Sequence, residues 1–200
     1  MLYKKDLPDG LDLGNIIAVD TETMGLNQAR DRLCLVQLSS GDGNAHLVQI
    51  QPGQTSAPNL KRALEGHDKR TIFHFARFDL AALKRGLDIT CENVYCTRTA
   101  SKLVRTYTDK HGLRHLCREL LNVEINKQQQ CSDWGIEDLS EEQKEYAAND
   151  VLYLHALKEK LHEILVREKR DCLAQRCFDF LPTRAELDIA GFAGIGFFDH

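Results

Sequence analysis

The sequence predicts an α/β domain built on a mixed central sheet. Three observations carry that expectation. Strand-like apolar runs crowd the first fifty residues, strands and helices then alternate to about residue 96, and helical patterns fill most of the remainder. The 200 residues, 42% of them apolar, suffice for one full hydrophobic core, so a single domain over 1–200 is expected.

Ile16-Ile17-Ala18-Val19 is too short an apolar run for a helix and predicts a buried strand that ends at Asp20-Thr21-Glu22-Thr23. A turn at Met24-Gly25-Leu26-Asn27 follows. Leu33 to Leu38 is a second strand, Ser39 to Asn44 a turn cluster, and Ala45 to Ile50 a third strand with partial alternation. Short turns between these three predict an antiparallel meander. Gln51 to Pro58 reads as a loop and Leu60 to Leu64 as a short helix stopped by Gly66. Thr71 to Phe75 is the fourth strand, and Ala76 to Arg85 a helix closed by Gly86. Asn93 to Cys96 is a last short strand, with helices near Thr99–Tyr107 and Leu113–Leu121. Ser140 and Gln143 have the spacing of a capping box at the start of the longest helical pattern, Glu141 to about Leu173. Leu154, Leu157, Leu161 and Leu165 give it an apolar stripe. Pro182 is expected to end the helical region, leaving a turn or two around Arg184–Ile189 and a Gly/Phe-rich tail.

Composition narrows the function. The formal net charge is -4, whereas a protein that grips long nucleic acid by its phosphates carries a basic surface. The seven cysteines include no Cys-x-x-Cys pair, which predicts reduced thiols and a cytoplasmic protein. The N-terminus lacks an apolar signal core, and no run approaches membrane-spanning length.

The acidic residues are more telling. Residues i and i+2 of a strand share a face, so Asp20 and Glu22 point to one place at the end of a buried strand. Two carboxylates there repel unless they are solvated or a cation lies between them, and hard divalent cations take carboxylate oxygen. Asp79 opens the helix after the fourth strand, where a carboxylate also suits the helix dipole. Tyr146 and Asp150 lie four apart and share a helix face.

Strand-end Asp-x-Glu, a later Asp after an aromatic strand, and Tyr-x-x-x-Asp on a late helix occur here in that order. The order resembles the DEDD superfamily of 3′-5′ exonucleases, in the branch with tyrosine in its last motif. Lys127 to Trp134, Leu139-Ser140 and Tyr146 to Val151 look like ribonuclease D. Asp20 to Leu26, Leu33 to Gly43, His74 to Asp79 and the Phe-rich tail look like nano-RNase C, the short form that clears RNA fragments. The resemblance implies a ribonuclease H-like fold and hydrolysis of short RNA, chiefly dinucleotides including pGpG, to 5′-mononucleotides. Two divalent cations, Mg²⁺ or Mn²⁺, would be held by Asp20, Glu22, Asp79 and Asp150, with Tyr146 orienting the attacking water. Leu26 falls where the family places a wedge between the last two bases; otherwise it is a core leucine. His74 and Arg77 flank Asp79 as candidate sugar or phosphate contacts, with His74 equally able to be a satisfied strand-end residue. Lys127 and Gln130 either meet phosphate or line a solvated loop, and Trp134 is favoured as packing over stacking on a base. Relatives form rings, which implies a homo-oligomer, an octamer by analogy, with the tail at about 182–200 in a subunit interface. Larger family members add C-terminal helical domains for which this chain ends too early. The rival readings are ribonuclease D-like trimming of stable RNA, attack on DNA 3′ ends, and an inactive RNA-binding scaffold.

Overall fold

Six strands form one mixed sheet in the computed structural model, which describes residues 1–27, 30–125 and 132–194. They are β1 (Leu2–Lys4), β2 (Ile16–Thr23), β3 (Leu33–Ser39), β4 (His46–Gln49), β5 (Arg70–Phe73) and β6 (Asn93–Cys96), in the order β1-β4-β3-β2-β5-β6. β2, β3 and β4 pair antiparallel as the expected meander. β5 and β6 then extend the sheet parallel to β2. The carboxyl ends of β2, β5 and β6 therefore open on one edge, where side chains from several connections can converge. Every residue of β3 is buried, so both faces of the sheet centre are covered.

The helices are α1 (Pro58–Leu64), α2 (Ala76–Leu87), α3 (Thr97–Val104), α4 (Leu113–Leu116), α5 (Glu141–Leu152), α6 (Leu154–Arg167) and α7 (Asp171–Leu187). π-helical turns continue α4 over Cys117–Leu121 and α7 over Asp188–Phe192. A main core takes Ile17, Val36, Leu38, Phe73 and Leu83 from the sheet and α2, and Leu157 and Leu161 from α6. A smaller one lies where Leu35 and Leu47 meet Trp134, Leu139 and Ala147 of α5. Ser140 caps α5 reciprocally with Gln143, as the spacing predicts.

Four expectations are corrected. The strand β1 was not foreseen; three residues are too few to show a period, and it forms by pairing with β4. Gly86 does not end α2. It sits inside the helix where an added Cβ would come 3.0 Å from the Leu33 Cβ, so glycine lets α2 approach β3; Asp88 in a left-handed conformation ends the helix instead. The long pattern from Glu141 is three helices, broken at Tyr153 and again between Arg167 and Asp171. Pro182 lies within α7 rather than after it. The packing of Phe178 against Tyr95 (ring centroids 4.7 Å apart) and the burial of Ala185 secure α7 on either side of the proline, which outweighs the lost backbone bond.

Candidate active site

Asp20 and Glu22 stand on one face of β2, close to its carboxyl end, where the pairing with β3 shifts register between Glu22 and Thr23. α5 crosses this face and brings Asp150 down onto the pair. Carboxylate oxygens of Asp20, Glu22 and Asp150 all lie within 4.8 Å of one another. The capping box fixes the start of α5 and so the height at which Tyr146 and Asp150 meet the strand end. Asp79 comes from the first turn of α2 and is buried. It is not one of the three whose oxygens meet: the Thr21 hydroxyl, on the opposite face of β2, donates to Asp79 Oδ1 at 2.7 Å and holds it.

Among the described residues no cation acts on Asp20, Glu22 or Asp79. Burial pushes Asp20 well above the usual carboxylate range, and every charged neighbour that acts on it is another acid: Asp79, Asp150 and Glu22. Burial first, and then Asp150 and Asp79, raise Glu22 to about 9. Asp79 is raised by burial to about 7, against the pull of its hydrogen bond from Thr21. Such a cluster fits divalent cations: closely held carboxylates alone suit Mg²⁺ or Mn²⁺, whereas zinc sites use nitrogen and sulfur donors. Tyr146, one turn before Asp150, is pushed upward by burial and then by Asp150, Glu22 and Asp20. Its phenol therefore keeps its proton at neutral pH.

The expected substrate contacts fare differently. Leu26 is no core residue; it is 87% exposed, just beyond the end of β2. His74 follows β5, and its Nδ1 lies 2.9 Å from the Thr97 hydroxyl. Phe75 adopts a left-handed backbone (φ 76°), and the guanidinium of Arg98 sits 4.7 Å from the centre of its exposed ring. Arg77 chelates the buried carboxylate of Asp188, with Nη2 to Oδ1 at 2.7 Å, and also bonds the Ala193 carbonyl. A bidentate pair with a buried acid makes it a clasp on the chain's later turns. Trp134 is buried and packs 6.0 Å from the Tyr146 ring, in line with the packing expectation. Lys127, Gln130, Phe197 and Phe198 lie outside the described residues.

Sequence reasoning missed Thr21, which gives no separate signal because its partner Asp79 is far along the chain.

A family model described as 3′-5′ exonuclease matches residues 5–166. The structure of Brucella melitensis NrnC bound to pGG is 52% identical to this chain with a TM-score of 0.94, covering 100% of this chain and 97% of that one. The same protein with bound Mg²⁺ is 51% identical with a TM-score of 0.93, at 100% and 98% coverage. Among curated relatives, ribonuclease D of Gluconacetobacter diazotrophicus is 32% identical over 154 residues, 77% of this chain and 39% of that one. The chain spans well under half the length of the curated relatives it matches.

Proposed function

Because the chain belongs to the 3′-5′ exonucleases, in the family of NrnC, we propose that it hydrolyses short oligoribonucleotides, chiefly dinucleotides such as pGpG, from the 3′ end. The observation that carries this reading is the convergence of Asp20, Glu22 and Asp150 within 4.8 Å, with Asp79 behind them and Tyr146 alongside. The relative's structure with pGG supports the short substrate, and its structure with Mg²⁺ supports a divalent ion. In this reading Asp20, Glu22, Asp79 and Asp150 would hold two cations, Mg²⁺ or Mn²⁺. When bound, the two cations supply Lewis-acid charge to the attacking and leaving oxygens of an in-line displacement.

The chain's own residues do the rest. Tyr146 orients the attacking water by a hydrogen bond but does not take its proton, since burial and the neighbouring acids keep the phenol protonated. Thr21 keeps Asp79 in register with the strand end. Leu26 projects its exposed apolar side chain between the last two bases, and His74 meets the sugar-phosphate backbone. The oxygen of water bonds to phosphorus as the bond to the 3′-oxygen breaks; the water's proton is released to solvent, the departing 3′-oxygen takes one up to become a hydroxyl on the shortened RNA, and a 5′-mononucleotide leaves.

Phe192, exposed on the last described turns, supports a homo-oligomer with the tail at about 182–200 in the subunit interface; a ring, an octamer, is what the family resemblance implies. Cytoplasmic RNA turnover is the proposed setting; among the described residues no helix is long and apolar enough to cross a membrane. The identity to ribonuclease D supports a second reading, trimming of longer RNA. Initial rates on 5′-phosphorylated RNAs of two, five and twenty nucleotides separate the two. A steep preference for the dinucleotide is expected, and equal rates would replace this reading with the second.

A further inference from the structure

Three glutamines are fully or almost fully buried among the described residues: Gln37, Gln49 and Gln143. Two of them are satisfied. Gln49 Nε2 donates to the Ile136 carbonyl at 2.8 Å, and its Oε1 accepts from the Lys4 ammonium at 2.7 Å. Gln143 closes the capping box and reaches the Asp133 carbonyl from Nε2 at 3.1 Å. Gln37, with no exposed surface, has no partner for either Nε2 or Oε1. An unmet buried amide is costly, and buried polar groups in folded proteins bond to protein or to ordered water. Something that protein atoms alone do not provide must meet this one.

Its place in the sheet says what. β3 sets Gln37 directly opposite Asp20 in antiparallel register, so both side chains rise from one face with their Cβ atoms about 5 Å apart. On its other side Gln37 faces Leu47 of β4. Along β3 the same face carries Leu35, which is apolar, and Ser39, whose hydroxyl is bonded to the Asn44 carbonyl at 2.7 Å. Leu35 and Leu47 pack there against Ala147 of α5. Asp20 is thus the polar group directly opposite the amide, with Glu22 farther off on the diagonal.

We infer that Gln37 is a positioning residue for Asp20: through one buried water it fixes the carboxylate orientation that a divalent cation requires. Nε2 donates to the water oxygen, and the water donates one proton to an Asp20 oxygen. The lone pairs on the far side of Asp20 stay free for the cation. Partners of this kind behind a ligand orient it and strengthen metal binding. The inference rests on the reading of the acidic cluster as a cation site.

Calorimetric titration of Mn²⁺ into the EDTA-stripped 200-residue chain tests it, on the parent, Gln37→Met, Gln37→Leu and Asp20→Ala. Gln37→Met should weaken Mn²⁺ binding about tenfold. The melting temperature of the metal-free protein should hold or rise, because the unmet amide is gone. KM for an RNA dinucleotide at saturating Mn²⁺ should stay put. Gln37→Leu repeats the test if the methionine variant folds poorly. Unchanged Mn²⁺ affinity in either folded variant overturns the inference. If neither folds, the ¹⁵N resonance of the Gln37 side-chain amide in the parent decides: it must shift when Mg²⁺ is added, and a static signal overturns the inference too. Failure of the underlying cation reading looks different, since the parent itself would then bind no Mn²⁺.

Discussion

Asp188 is buried and Asp20 half-buried, in opposite surroundings. Asp188 lies between two arginines: Arg77 chelates it, and Arg184 Nη1 stands 3.1 Å from its Oδ1. Asp20 lies among three other acids. A charge neutralised within the chain is a clasp, and its loss costs stability. A charge left unbalanced lowers the stability of the empty protein and marks a place where something from solution must enter.

Substituting each aspartate by asparagine should sharpen that contrast. Asp20→Asn should cut turnover on an RNA dinucleotide by on the order of a hundred- to a thousandfold, comparable to removing a key electrostatic group from other hydrolytic sites. The same change should make the metal-free protein more stable near pH ~8 by about 1–2 kcal/mol, because one repelling charge is gone. A loss of stability in urea melts would show that the cluster is balanced after all. Asp188→Asn should do the reverse. Breaking the pair should cost about 2–3 kcal/mol, discounted for the partly exposed Arg77 and Arg184. Mn²⁺ titration of the surviving folded fraction should still find the site.

The pH dependence follows from the same asymmetry. Glu22, raised to about 9, and Asp79, raised to about 7, hold protons more tightly folded than unfolded. Their stabilising contribution is complete below the unfolded values and fades as pH rises through the folded ones. The metal-free protein should therefore melt several degrees lower at about pH 9 than at about pH 5, and Mg²⁺ should restore more at the higher pH. A flat profile in scanning calorimetry would break the comparison. The smallest effect is expected at Ser140→Ala, about 1 kcal/mol from the lost helix cap, measured by chemical denaturation.

The two aspartates also differed in how far the sequence exposed them. Asp20 was legible because β2 is a continuous apolar run whose period places Asp20 and Glu22 on one face. Tyr146 and Asp150 were legible because helical spacing and the Ser140 cap are local. Asp188 was not, since its partner Arg77 lies more than a hundred residues away and only tertiary packing joins them. The same limit hid the bond from Thr21 to Asp79 and the helical state of Pro182. Gly86 was misread because glycine marks both helix ends and close approaches, and only the position of Leu33 tells which.

The clasp on Arg77 also orders events during synthesis. Arg77 belongs to the first turn of α2, two residues from Asp79, yet its anchor follows α7 near the far end of the described chain. A nascent polypeptide emerging amino end first displays Asp20 and Asp79 long before Asp188 exists. Until that anchor arrives, the opening turn of α2 is tethered through the Thr21 bond without its second brace. The centre thus takes its final shape only once Asp188 has been made.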